Sequence, residues 1–293
     1  MSWPRLLLGA LVVLIGSTIV AGAIGAWRWR IASDDLVAEL FKPQRASPAF
    51  RYDSRDVEPL PPPVARYFRH VLREGQPLIR RVRIAHEGSF NVSSGAEKWA
   101  PFRSIETFTV NPPGFVWDAR IRMMPMVPAL VRDAYVTGQG RMRARLLNLI
   151  PLADAGATPQ MAAGALQRYL AEAPWFPTAL LPVSGVEWTP VDDRTARATL
   201  RDGATTVTLE FRFSERDEIS EVYTPARFRQ VGNEAVATPW SGVHGDYMRW
   251  NGMRVPTVAE VRWHLPDRVL PYWRGRVIDV EYEYEPTEDA AVR

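Results

Sequence analysis

Apolar side chains recur at every second position through most of residues 78–286, and this period limits the possible folds more than any other feature. Segment 114–123, "GFVWDARIRM", shows it most clearly, with Trp117 and Ala119 on either side of Asp118. The period is typical of half-buried strands. Roughly ten to twelve such segments occur with one helix among them and no strand–helix–strand alternation, which predicts a mainly β (α+β) domain. We expect a large antiparallel sheet, either a barrel or a strongly curved open half-barrel.

One helix and one apolar loop interrupt the strands. Residues 158–173, "TPQMAAGALQRYLAEA", have Thr158 as a predicted cap and Pro159 at the first helical position. The next segment, "APWFPTALLP" at 173–182, contains three prolines and two adjacent aromatic residues, and nothing in it can ionise. We expect this helix and loop, residues 159–182, to lie in the concavity of the sheet as a plug or lid.

The N-terminus carries an apolar run that is long enough to cross a membrane. Residues 6–27 form 22 positions without a charge, and a spanning helix needs roughly 20. Arg28 and Arg30 follow the run, and Trp3 and Trp27 stand where interfacial aromatics belong. We predict a single-pass anchor in the inner (cytoplasmic) membrane, with the body in the periplasm or outside the cell. A cleaved signal peptide, with Ala21-Gly22-Ala23 as its cleavage site, is the alternative.

These patterns divide the chain into four segments. Residues 1–32 are the predicted membrane anchor, and 33–77 are a helical connector that includes a short helix capped by Ser33. Residues 78–286 form the antiparallel β domain, and 287–293 are a flexible tail.

Composition and motifs exclude several functions. The net charge of +3 is too small to indicate nucleic-acid binding. Cysteine is absent, which excludes disulfides, thiolate nucleophiles and cysteine metal sites. The nucleophile-elbow, zinc-protease, Walker and dinucleotide motifs do not occur. The four histidines lack metal-ligand spacing, so the sequence predicts neither a metal nor a cofactor, and it leaves the oligomeric state open.

An enzymatic function is an alternative. Its centre would combine Asp118, Arg120, Asp133 and His244, provided that these side chains converge in one cleft. Asp118 and Arg120 are alternate residues of one strand and therefore share a face. A further alternative is a structural or partner-binding module without a ligand, with a filled sheet interior and an exposed apolar patch.

Tryptophan is the most informative residue type for function. The chain has 11, several of them beside prolines, and ligand pockets are mostly lined by apolar and aromatic side chains. We therefore predict that a lipid or another elongated apolar molecule binds in the concave face. The predicted lining consists of Trp117, Trp175, Phe176, Leu180, Leu181 and Trp240.

Several segments carry a family resemblance. They are "LPPPVARYFRHVL", "PPGFVWDARIRM", "VRDAYVTGQGRM", "RYLAEAPWFPTALLP" and "DDRTARATL". Together with the N-terminal anchor they resemble a widespread bacterial family of uncharacterised proteins, known as a domain of unknown function. The order of elements is also similar to the periplasmic lipoprotein-carrier and lipoprotein-receptor group. That second resemblance implies an open antiparallel half-barrel with helices in its hollow, which holds acyl chains.

Overall fold

The computed structural model describes residues 3–42, 50–93, 97–124, 127–232 and 234–286. The predicted flexible tail, 287–293, lies outside these ranges. So does most of the polar, proline-containing part of the predicted connector, residues 43–49.

Thirteen strands form one antiparallel sheet, as the period-two pattern predicts. The strands are β1 Ile79–Asn91, β2 Trp99–Thr109, β3 Gly114–Met124, β4 Val127–Val136, β5 Gln139–Leu146, β6 Ile150–Ala155, β7 Val186–Asp192, β8 Thr195–Asp202, β9 Thr205–Phe213, β10 Ile219–Val231, β11 Glu234–Trp250, β12 Met253–His264 and β13 Val269–Tyr284. Strand β6 is not evident from the sequence, because the tight turn before it, at Leu147 and Asn148, lies within the apolar segment "LLNLI" and contains no glycine or proline. Both turn residues have positive φ.

The strand order shows how the sheet is assembled. It runs β6-β5-β4-β3-β2-β1-β13-β12-β11-β10-β9-β8-β7, so that two meanders of consecutive hairpins meet at the β1–β13 pair. The two edge strands, β6 and β7, do not pair, and the sheet stays an open half-barrel. Residues 156–185 join one edge to the other and form the chain link between the meanders.

This link fills the concave face and confirms the predicted helix. Helix α3, Pro159–Glu172, begins at Thr158, whose hydroxyl accepts a hydrogen bond from Met161 N at 3.1 Å. Three short 3-10 turns follow up to residue 184. We call residues 159–184 the plug. Gly140 on β5 permits the close approach of α3, because a Cβ there would lie 2.3 Å from Met161 O.

Two further helices complete the fold. Helix α2, Pro62–Val71, buries Tyr67 and Phe68 in the main core, where the Tyr67 ring lies 5.8 Å from that of Phe213. Helix α1, Trp3–Phe41, is continuous, so the predicted separate helix starting at Ser33 is wrong. Ser33 does not cap a helix, because its hydroxyl donates back to Trp29 O at 3.2 Å and also contacts Asp118.

The C-terminal part of α1 packs on the convex face of the sheet, and its N-terminal part extends beyond the body. Leu40 forms a small buried cluster with Val116, Ala134 and Val136. The apolar side chains described between residues 7 and 20 are exposed. At 1.5 Å per residue, residues 3–21 measure about 28 Å, close to the thickness of a bilayer's hydrocarbon core. The helix is thus long and apolar enough to span a membrane.

Candidate functional site

The six predicted lining residues are all buried in the main hydrophobic core, which contains side chains of both the plug and the sheet. Trp117 and Trp240 come from β3 and β11, whereas Trp175, Phe176, Leu180 and Leu181 belong to the plug. The Phe176 ring lies 4.6 Å from the Phe108 ring of β2 and 5.6 Å from the Tyr169 ring of α3. In this structure these side chains fill the concave face.

Trp175 lies at the centre of an aromatic cluster that the sequence did not reveal. Its ring centroid is 4.6 Å from His86 of β1, 6.3 Å from His244 of β11 and 6.4 Å from Trp273 of β13. Gly275 gives the Trp273 indole its space, since a Cβ at Gly275 would lie 2.3 Å from the ring. The cluster therefore joins the plug to both meanders of the sheet.

Six hydrogen-bonding atoms in and beside this cluster are buried without a hydrogen-bond partner among the described residues. They are both ring nitrogens of His86, Nδ1 of His244, the Ser104 hydroxyl, and the indole nitrogens of Trp117 and Trp175. His86 and Ser104 face each other directly across the β1–β2 pair. A buried polar atom without a partner costs about 1–3 kcal/mol, so native proteins leave few of them. These atoms therefore leave hydrogen-bonding capacity unused at this place in the interior.

A buried ionic cluster adjoins these atoms. The guanidinium of Arg168 on α3 donates to Glu106 at 2.8 Å, to Asp133 at 2.9 Å and to Glu172 at 2.8 Å. Its carbon also lies 5.0 Å from the centre of the Trp117 ring. The Arg168 guanidinium thus connects α3 with the concave sides of β2 and β4.

Burial changes the ionisation of this region. Desolvation raises the pKa of Glu106 well above its usual value, despite the attraction of Arg168. Desolvation also lowers the pKa of His86 to about 3, with a further contribution from Arg168, and that of His244 to about 4. Both histidines are therefore neutral at pH 7. Among the residues that the structure describes, no group of three His, Cys, Asp or Glu could hold a metal ion.

The four residues of the alternative catalytic centre are not brought together. Asp133 and His244 face the concave interior, but Asp118 and Arg120 point from β3 to the convex face. Asp118 serves to dock α1: it accepts a hydrogen bond from Trp29 Nε1 at 2.9 Å and lies 3.8 Å from Arg132. Asp133 pairs with Trp117 and therefore shares its concave face. Asp118 is the next residue along β3, so it points to the opposite, convex face.

His86, Glu106 and Arg168 are the site residues that sequence reasoning missed. The apolar residues of "FRSIETFTV" include Phe102, Ile105 and Phe108, and grouping them on one face would predict that Ile105 points inward. The actual inward positions of β2 are Phe102, Ser104, Glu106 and Phe108, and Ile105 is exposed on the convex face. Strict alternation from Phe102 to Phe108 was the available signal, and it places Glu106 inside.

Comparisons with known proteins give a family but no activity. The model of a family described as "Family of unknown function (DUF6920)" matches residues 58–282, which include α2, the plug and nearly the whole sheet. No curated protein matches the chain. A solved structure, LolA superfamily protein NE2245 from Nitrosomonas europaea, is similar at 12% identity and a TM-score of 0.31. The similarity covers 78% of this chain and 95% of that one.

Proposed function

The chain belongs to this family of unknown function, and we propose that it is a membrane-anchored binding protein for an amphiphile. The apolar chain of the ligand lies between plug and sheet, against Trp117, Trp175 and Trp240. Its polar end is bound by the unpartnered atoms around His86. Helix α1 holds the protein in the inner membrane, with the body in the periplasm or outside the cell.

The unpartnered atoms of His86, Ser104, Trp117 and Trp175 are the observation that carries this proposal. They include indole N–H donors, a hydroxyl and a neutral imidazole, so that the site can both donate and accept hydrogen bonds. Aromatic side chains surround them: Phe102 lies 6.1 Å from Trp117 and 5.5 Å from Trp273, measured between ring centroids. A ligand that is apolar over most of its length and polar at one end, such as a fatty acyl chain with its carbonyl or hydroxyl group, suits this combination.

Binding requires the plug to move, because its side chains fill the concave face in this structure. Within the described part of the chain, few hydrogen bonds hold residues 175–180 to the sheet. Tyr282 donates to Trp175 O at 2.6 Å, Trp188 to Leu180 O at 2.9 Å, and Ile79 N to the Thr178 hydroxyl at 3.0 Å. Each buried CH₂ of a ligand contributes about 0.8 kcal/mol, so an acyl chain can replace the apolar contacts that the plug gives up.

A reversible lock on the plug tests the proposal. The chain has no cysteine, and Ile79 N lies 3.0 Å from the Thr178 hydroxyl, so cysteines introduced at these two positions would be close together and would be the only thiols. We expect the reduced Thr178→Cys/Ile79→Cys variant, in nanodiscs that contain a diazirine-bearing phospholipid, to be labelled on the plug and on Trp240 after irradiation. Oxidation of the same sample should reduce this labelling at least tenfold. Peptide mass spectrometry reads out the labelled positions.

The reduced sample is the matched control, since its sequence is identical. Labelling confined to α1 in both redox forms would show that lipid reaches only the membrane helix, and the plug would then be a permanent part of the core.

A separate prediction concerns the anchor. We expect the full chain to remain in membranes after a carbonate wash, because α1 contains an uncharged apolar run of 22 residues, which is long enough to span a bilayer. A variant that lacks residues 1–27 keeps Trp29 and Ser33, and with them the contacts to Asp118, so it should be released in folded form. If the full-length chain is instead cleaved after Ala23 and the product is released, the signal-peptide interpretation is supported. Protease access in spheroplasts reports the side on which the body lies.

A further inference from the structure

We propose that the junction between α1 and the β5–β6 turn binds the phosphate headgroup of an anionic phospholipid. This site is separate from the concave face, and it rests on the proposed function only in that α1 spans a membrane. An open pocket of about 620 Å³ lies there, between residues 21–32 of α1 and the strands β4 and β5.

The position of the pocket along α1 matches the surface of a membrane. Asn148 in the β5–β6 turn donates to Gly22 O at 3.2 Å, and Gly25 allows close packing, since a Cβ there would lie 2.7 Å from Asn148 O. The exposed part of α1 ends where the body begins, at Ala21 and Gly22. The turn therefore lies beside the end of the exposed helix, at the depth of lipid headgroups.

The charge of the pocket favours an anion. Arg28 of α1 and Arg143 and Arg145 of β5 line it, with the buried Arg132 behind them. Arg143 pairs with Asp154 at 3.2 Å, and Arg132 is engaged by Ser33 and Trp29. Arg28 and Arg145 make no ion pair with any residue in the described ranges, so their charges are free to meet a phosphate.

Two further features favour a lipid over a free anion. Asn148 Oδ1 is buried without a partner in the described part of the chain, and its amide is oriented by the bond to Gly22 O. It can accept a hydrogen bond from a headgroup hydroxyl. Leu149, Ile150 and Leu152 expose large apolar side chains on the turn and on the edge strand β6. At this depth they can contact acyl chains, so that one lipid meets both the arginines and the apolar edge.

Native mass spectrometry of the full chain, released from nanodiscs of equal parts phosphatidylglycerol and phosphatidylcholine, tests the site. We expect phosphatidylglycerol to be retained in preference to phosphatidylcholine. The Arg28→Gln/Arg145→Gln variant should lose that preference by roughly tenfold or more, given the contribution of each basic residue near an anionic surface. The matched control is Arg216→Gln/Arg249→Gln, which removes two exposed arginines at the opposite end of the strands and should leave the preference unchanged.

Three outcomes would overturn the proposal: equal retention of the two lipids by the wild type, an equal loss in test and control variants, or displacement of the lipid by millimolar inorganic phosphate. The carbonate wash is repeated on each variant, so that loss of the headgroup site is distinguished from loss of the anchor. Labelling of the plug in the locked variant reports on the concave face independently.

Discussion

Replacing Arg168 with methionine is expected to lower the free energy of unfolding by about 3–5 kcal/mol, since removing one partner of a buried ionic cluster leaves charge without compensation. Arg168 is mostly buried and donates to Glu106, Asp133 and Glu172. Burial alone would lower its pKa, but the three carboxyl groups outweigh this effect and raise it. The guanidinium therefore remains charged, and it is the cation that the carboxyl groups depend on. Methionine keeps an unbranched apolar side chain of about the length of the arginine stem, but it lacks the guanidinium that lies over the Trp117 ring.

Chemical unfolding of the solubilised full chain, followed by tryptophan fluorescence, measures this effect. Arg197→Gln is the control: it breaks an exposed pair with Glu210 at 2.9 Å, and such pairs contribute about 0–1 kcal/mol. Adding Glu106→Gln to Arg168→Met should recover part of the loss, because one buried carboxyl group is then neutral. Equal and small effects of Arg168→Met and Arg197→Gln would mean that water reaches the cluster and that the plug is already loose.

The buried ionic cluster around Arg168 could not be predicted from the sequence, whereas several elements of the fold could. The strand period correctly predicted β3, with Trp117 inside and Asp118 outside. The caps and prolines correctly predicted α3. These features depend on neighbouring residues, which a single sequence displays. The contacts of Arg168 with Glu106 and Asp133 form only when β2, β4 and the plug pack together in the folded protein. Local sequence patterns do not indicate which distant segments pack together. A glutamate or arginine that points inward looks like a solvent-facing residue until its partners are known.

The pairing of distant strands could not be predicted from the sequence for a related reason. Each meander consists of hairpins whose turns can be found locally, such as Thr137-Gly138 and Asn251-Gly252. The pairing of β1 with β13, which joins Ile84 to Val280, links strands almost 200 residues apart. That pairing turns two meanders into one sheet and leaves the plug as the connection between the two free edges. The location of the plug was predicted from its composition, whereas the side chains that it covers, above all His86, were not.

The two buried histidines should make the fold sensitive to acid. The unfolded chain binds a proton on each histidine near pH 6.5, but the folded chain does so only near pH 3 at His86 and pH 4 at His244. Between these values the unfolded state binds more protons, so stability is lost as the pH falls. At pH 5 each histidine should reduce the free energy of unfolding by about 2 kcal/mol relative to pH 7.5.

The carboxyl groups of Glu106 and Glu172 act in the opposite direction, because burial raises their pKa values and the folded state then binds more protons above pH 4.5. A comparison of variants separates the two contributions. We expect His86→Phe, which keeps a ring beside Trp175 and Trp273, to lose about 2 kcal/mol less than the wild type between pH 7.5 and pH 5. Ile84→Val in the same strand contains no titrating change, and it should lower stability by about 1 kcal/mol equally at both pH values. If His86→Phe and the wild type instead follow parallel curves, His86 is protonated in the folded protein at pH 5. The plug would then admit water to the site at which we place the polar end of the ligand.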